Sequence, residues 1–87
     1  MHLESLRIFR DLVNTGTFSK AAELNYLTQS AVSQQLQSLE KSVGRPLLDR
    51  GNRKIKLTTA GQLFFKAAKR MVATYEEMTA RIQSAAP

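Results

Sequence analysis

Apolar residues recur along this chain at helical intervals, with punctuation between the runs. Leu3, Leu6, Phe9 and Leu12 follow one another at three-residue steps, with Val13 four residues beyond Phe9, the rhythm of one helix face. That run predicts a first amphipathic helix ending near Asn14-Thr15-Gly16, where glycine can take the left-handed conformation that closes a helix. Thr17 is suited to cap a second, short helix with the sequence FSKAAELN, and its Ala21 and Ala22 are small enough to let another helix come close. After a tight connection at Asn25-Tyr26-Leu27, Thr28 can cap a third helix that runs to Gly44, with Pro46 barring its continuation. Two helices joined by so short a turn must cross steeply, which is helix-turn-helix geometry.

On the third helix, Val32, Leu36, Leu39 and Val43 fall on one stripe at about 100° per residue and are expected to be buried. Ser30, Ser33, Gln34, Gln37 and Lys41 lie opposite. Most polar helix faces simply meet water, but such faces are commonly built from Glu, Lys and Arg held in four-residue ion pairs. Here residues 24–39 contain no charge at all.

The rhythm changes in LLDRGNRKIKLT, where Ile55 and Leu57 alternate with polar residues and a Gly-Asn pair marks a tip; this predicts two short strands, a β-ribbon wing. Thr59 with Gln62 three residues later forms a capping-box signature, and a helix of roughly 25 residues is expected from there to about Ser84. Along it Phe64, Ala68, Met71, Tyr75, Met78 and Ile82 are spaced alternately by four and three, a heptad seam. Leu63 and Phe65 can serve the domain's own core near the start. A helix about 37 Å long at 1.5 Å per residue outruns so small a body, so the distal seam is expected to meet a second copy of the chain. The organisation predicted is mainly α: a winged helix-turn-helix over 1–58, three helices plus wing, then a linker and dimerisation helix over 59–87. The final SAAP has the composition of a linker, so more protein is expected to follow.

Composition narrows the function. The chain has 87 residues and no cysteine, which excludes disulfides, thiolate metal sites and cysteine nucleophiles. His2 is the sole histidine and sits at a terminus, the acidic residues are scattered and no serine has a base, so neither an enzyme, a metal site nor a cofactor is expected. No apolar run approaches the ~20 residues of a membrane span and the start lacks a signal-peptide pattern; the reading is a soluble, cytoplasmic protein. Thirteen Lys and Arg against seven Asp and Glu leave +6, which favours a polyanionic partner. Arg45, Arg50, Arg53, Lys54 and Lys56 face only Asp49 within twelve residues, directly after the uncharged helix.

Short hydroxyls and carboxamides carry both donor and acceptor, matching the mixed pattern of base edges in the DNA major groove, and a helix N-terminus directs N–H groups at phosphate. The segment FSKAAELNYLTQSAVSQQLQSLEKSVGRPLLDR, followed by LTTAG, resembles the N-terminal DNA-binding domain of LysR-type transcriptional regulators. Ala21-Ala22-Glu23, the run from Thr28 through Ser33, Gln35, Leu39-Glu40, Val43-Gly44, Leu47-Leu48, Arg50 and the run from Leu57 through Gly61 carry the resemblance. Leu48 stands where the family usually has Phe, a harmless core exchange. Asn25-Tyr26 replaces the usual turn residues, and because Asn tolerates a left-handed backbone better than Tyr, the turn is expected to shift by one residue. Gln34 is variable in the family and often Arg.

From this we expect double-stranded DNA as partner, bound by a homodimer. Gln29, Ser30, Ser33 and Gln34, with Gln37 as an outer candidate, are expected to read bases; Thr28, Arg50 and Lys54 to hold phosphates; and Arg53 to enter the minor groove. The resemblance further implies an antiparallel pairing of long helices, a partly palindromic target, and a separate effector domain with higher oligomers in a complete protein. A basic protein-interaction module is the competing use of the same face. RNA binding is disfavoured because exposed aromatic stacking platforms are not expected.

Overall fold

The computed structural model describes residues 1–51 and 54–87. Four helices follow in order: α1 (Leu3–Thr15), α2 (Phe18–Leu24), α3 (Gln29–Val43) and α4 (Thr59–Ser84). The starts of α2 and α3 are capped as the sequence dictates, while His2, which precedes α1, makes no side-chain cap bond. The Thr17 hydroxyl accepts from Lys20 N at 3.0 Å and the Thr28 hydroxyl from Ala31 N at 3.1 Å, each satisfying one of the orphan N–H groups of a first turn. α1 and α3 both end in left-handed glycines, Gly16 and Gly44. The cap of α4 is Thr58 rather than Thr59: its hydroxyl accepts from Gly61 N at 3.0 Å while donating to Pro46 O at 2.7 Å. The second bond decides the matter, because it also ties the helix start to the segment leaving α3.

Leu6, Phe9, Leu12, Ala21, Ala22, Val32, Leu36, Leu39, Leu47, Leu48, Ala68 and Val72 form one core. The expected faces of α1, α2 and α3 point inward, except that Val43, in the last turn of α3, is 39% exposed. α4 departs from its sequence reading. Gly61, Ala68 and Val72 are buried on it, Phe64 meets Phe9 edge-on with ring centroids 5.1 Å apart, and Leu63 turns outward. Phe64 and Ala68 therefore serve the chain's own core, and Ala68, with 0% exposure, has no surface to offer a second copy. The core also crosses the expected 58/59 boundary: the first half of α4 is part of the helix-turn-helix body.

Gly61 explains how α4 can lie so close. A Cβ there would overlap the Leu47 carbonyl oxygen and come within 3.2 Å of Leu57 Cδ2. Of the expected wing, the described residues show one antiparallel bridge, Leu48 with Leu57, flanked by Asp49 N to Lys56 O at 2.8 Å and Thr58 N to Leu47 O at 3.0 Å. Beyond Val72, α4 leaves the body, which stretches the molecule to 52 × 25 × 19 Å. No helix among the described residues is long and apolar enough to cross a membrane.

Candidate nucleic-acid interface

α3 lies with Val32, Leu36 and Leu39 in the core, which turns its other side to solvent. Gln29, Ser30, Gln34 and Gln37 are exposed and Ser33 half-buried. Thr28, also exposed, already accepts from Ala31 N, so its hydroxyl proton remains free to be donated outward. Gln35, next to Gln34 in the chain, behaves differently: its Oε1 accepts from the Ser5 hydroxyl of α1 at 2.8 Å. It braces α3 against α1 instead of facing a partner.

Glu40 organises the basic segment. One carboxylate oxygen accepts from Leu47 N at 2.7 Å and from Leu48 N at 3.4 Å, and the other meets Arg50 Nη2 at 2.8 Å. The carboxylate is 15% exposed and the Arg50 side chain 54%, so the guanidinium is anchored on its inner side while several N–H donors remain turned to solvent. Glu40 is a positioning residue that its sequence alone did not mark as one.

A concave surface of about 460 Å³ runs between the start of α2, the start of α3 and the bridge segment; Thr17, Ser19, Gln29, Arg50, Lys54 and Lys56 line it. It brings Gln29 together with two expected phosphate holders, Arg50 and Lys54. Thr17, the cap of α2, and Ser19 also line this surface, which the sequence reading did not bring together with Gln29. Arg53 lies outside the described residues.

A second exposed feature is apolar. Met71, Tyr75, Met78 and Ile82 are all exposed on α4, and a shallow groove of about 400 Å³ runs among Arg70, Met71, Thr74, Tyr75 and Met78. Arg7 and Arg10 of α1 reach Glu76 at 3.8 and 3.7 Å, and Arg7 lies over the Tyr75 ring, 5.6 Å from its centroid. These contacts brace α4 one turn beyond the buried core. Among the described residues no cluster of His, Cys, Asp or Glu is arranged to hold a metal ion.

A three-helix core in which a short α2 and a tight turn present an exposed α3 defines a helix-turn-helix protein. The chain belongs to the lysR family of bacterial regulatory helix-turn-helix proteins, whose family model matches residues 3–62. It is similar to a probable RuBisCO transcriptional regulator of Cyanidioschyzon merolae, 53% identical over 75 residues that make up 86% of this chain and 25% of that protein. The HTH-type transcriptional activator CmpR of Synechocystis is 41% identical over 76 residues, 87% of this chain and 25% of that protein. Thus the chain spans about a quarter of the length of the curated relatives it matches. Among solved structures, the BenM DNA-binding domain in complex with catB site 1 DNA matches over 100% of both chains, with TM-score 0.87 and 36% identity. Full-length OxyR from Pseudomonas aeruginosa shares the fold, with TM-score 0.92 over 100% of this chain and 30% of that one at 23% identity.

Proposed function

We propose that this chain binds double-stranded DNA in a sequence-specific manner as a homodimer, and that it is the DNA-binding portion of a cytoplasmic transcriptional regulator. The observation that carries the reading is the outer face of α3: largely exposed, uncharged from Gln29 through Gln37, rich in groups that both donate and accept, and set beside Arg50 and Lys54. Gln29, Ser30, Ser33 and Gln34 read base edges, with Gln37 further along the same face. Thr28, Arg50 and Lys54 hold phosphates, which fix register without carrying sequence information. Arg53 is assigned to the minor groove on its place in the sequence. Dimerisation uses Met71, Tyr75, Met78 and Ile82, each contributing about 1.5–3 kcal/mol if fully buried. Family membership and relatives solved on DNA support the partner class.

Selection of bound sequences from a random double-stranded pool tests the proposal. A symmetric motif is expected, with half-sites separated by about one or more helical turns. Uniform binding with no enriched sequence would leave the competing reading, a basic module that binds a protein helix.

A further inference from the structure

The turn between α2 and α3 holds a strained and almost naked aromatic side chain. Tyr26 has φ 55°, and among the described residues it is the one non-glycine with left-handed backbone. It is also 95% exposed, so its ring adds almost nothing to the core. A residue with a Cβ is disfavoured in this conformation, and Asn would tolerate it better. Asn25 is next in the chain but occupied: at φ −104° its Nδ2 donates to Asp11 Oδ2 at 3.0 Å and to Ala21 O at 2.8 Å. Asp11 is held in turn by Arg10 Nε at 3.0 Å. With Asn25 fixed, the left-handed step falls on Tyr26, contrary to the expected one-residue shift. One exposed ring on a turn is not a multi-ring stacking platform for single-stranded bases.

Tyr26 N donates to Glu23 O at 3.3 Å, but its side chain is almost wholly exposed, and a strained residue whose side chain does not serve the core points toward function. Tyr26 lies two residues before Thr28 and three before Gln29, so its Cα is within ~11 Å of Gln29 at extended-chain spacing. We propose that Tyr26 is a DNA-backbone contact: its ring packs on a deoxyribose beside the α3 site and its phenol O–H donates to a non-bridging phosphate oxygen. The inference rests on the DNA-binding reading above. A neutral donor on phosphate has a distinct signature. It carries no base information, so all sequences weaken alike when it is lost. It also displaces no counterion, so the salt dependence stays unchanged. Lys54 would change the salt dependence, and Ser33 or Gln34 would change the sequence preference.

The experiment uses the 87-residue chain and duplex DNA selected by the wild type. Tyr26→Phe is expected to bind roughly tenfold more weakly on matched and mismatched duplexes alike, the size of a lost hydrogen bond to a charged group, with the same slope against salt. Tyr26→Gly should bind more weakly still while melting at a higher temperature, because glycine relieves the backbone. Replacing phosphates one at a time by methylphosphonate should find one position whose effect vanishes in Tyr26→Phe. Binding equal to wild type in both variants would overturn this inference alone. Failure of the wild type to bind any duplex would overturn it together with the proposed function. Loss confined to single-stranded DNA, or to a protein partner, would also overturn it.

Discussion

The outer face of α3 and the distal face of α4 are both left bare by the folded chain, yet they are chemical opposites. The α3 face is Gln and Ser, able to donate and accept, with a basic segment beside it. The α4 face is Met, Tyr, Met and Ile at alternating heptad steps, with little to hydrogen-bond and much to gain from leaving water. Each face supports its proposed partner by what it lacks. Without charge pairs, α3 gains little by remaining solvated as an ordinary surface helix; without polar cover, α4 gains much by meeting another apolar seam. Exposure by itself is silent about partner class, and the side-chain chemistry distinguishes the two.

The largest expected effect breaks the α4 side. Met71→Glu with Tyr75→Glu places charges that cannot be buried unpaired in a seam, and sedimentation should show a monomer of half the dimer mass with helicity retained. DNA affinity should then fall by about 10²-fold or more, as two half-sites are no longer gripped by one linked object. An unchanged dimer would remove the contrast between the faces. Because Ala68 is buried in its own protomer, Ala68→Glu should instead unfold the chain, which circular dichroism on heating would separate from simple dissociation.

Smaller is the effect of Glu40→Ala, which strands Leu47 N and releases Arg50. A loss of about 1–3 kcal/mol in urea unfolding is expected from an unsatisfied buried donor. Weaker DNA binding should accompany it even at temperatures where the variant is fully folded.

On the α3 side, Ser33→Ala and Gln34→Ala should each reduce discrimination at one or two base pairs by about 1–3 kcal/mol, with nonspecific binding nearly intact. Competition between the selected duplex and single-position variants measures this. Equal weakening on every sequence would assign the face to something other than base reading.

The smallest effect sharpens the neighbourhood of α3. Lys54→Ala should lower the slope of log affinity against log salt by about one per subunit and weaken all duplexes alike. Arg53→Ala should do the same and also flatten a preference for A·T pairs flanking the site, where a narrow groove attracts a guanidinium. Equal losses on A·T- and G·C-flanked duplexes for Arg53→Ala would make this segment an electrostatic clamp only.

Helix identity and order were legible in the chain because they depend on local information. Thr17, Thr28, Gly16 and Gly44 carry their signals within one turn of the positions they cap, and the α3 stripe from Val32 through Leu39 repeats at helical spacing. The exposed polar face of α3 was legible for the same reason, since burying one stripe assigns its opposite to solvent. Long-range contacts decided the rest. The heptad in α4 is a true periodicity, but periodicity does not say which stretch of it the chain's own body covers. The Phe9 ring draws Phe64 inward, the missing Cβ of Gly61 lets α4 settle on Leu47, and Leu63 rotates outward as a result. Thr58 became the cap through its bond to Pro46, twelve residues away.

By itself, then, the sequence determined four helices, one stretch without charge over residues 24–39 and one basic segment, all consequences of spacing, capping and charge within a few residues. Only the tertiary structure decided that Glu40 would hold Arg50, that Gln35 would brace α1 while Gln34 faced outward, and that Asn25, bound to Asp11, would leave the left-handed turn to Tyr26. Those outcomes depend on partners 10, 30 and 14 residues away in the chain. A local pattern cannot specify them, because hydrogen-bond partners distant in sequence are chosen by how the helices pack.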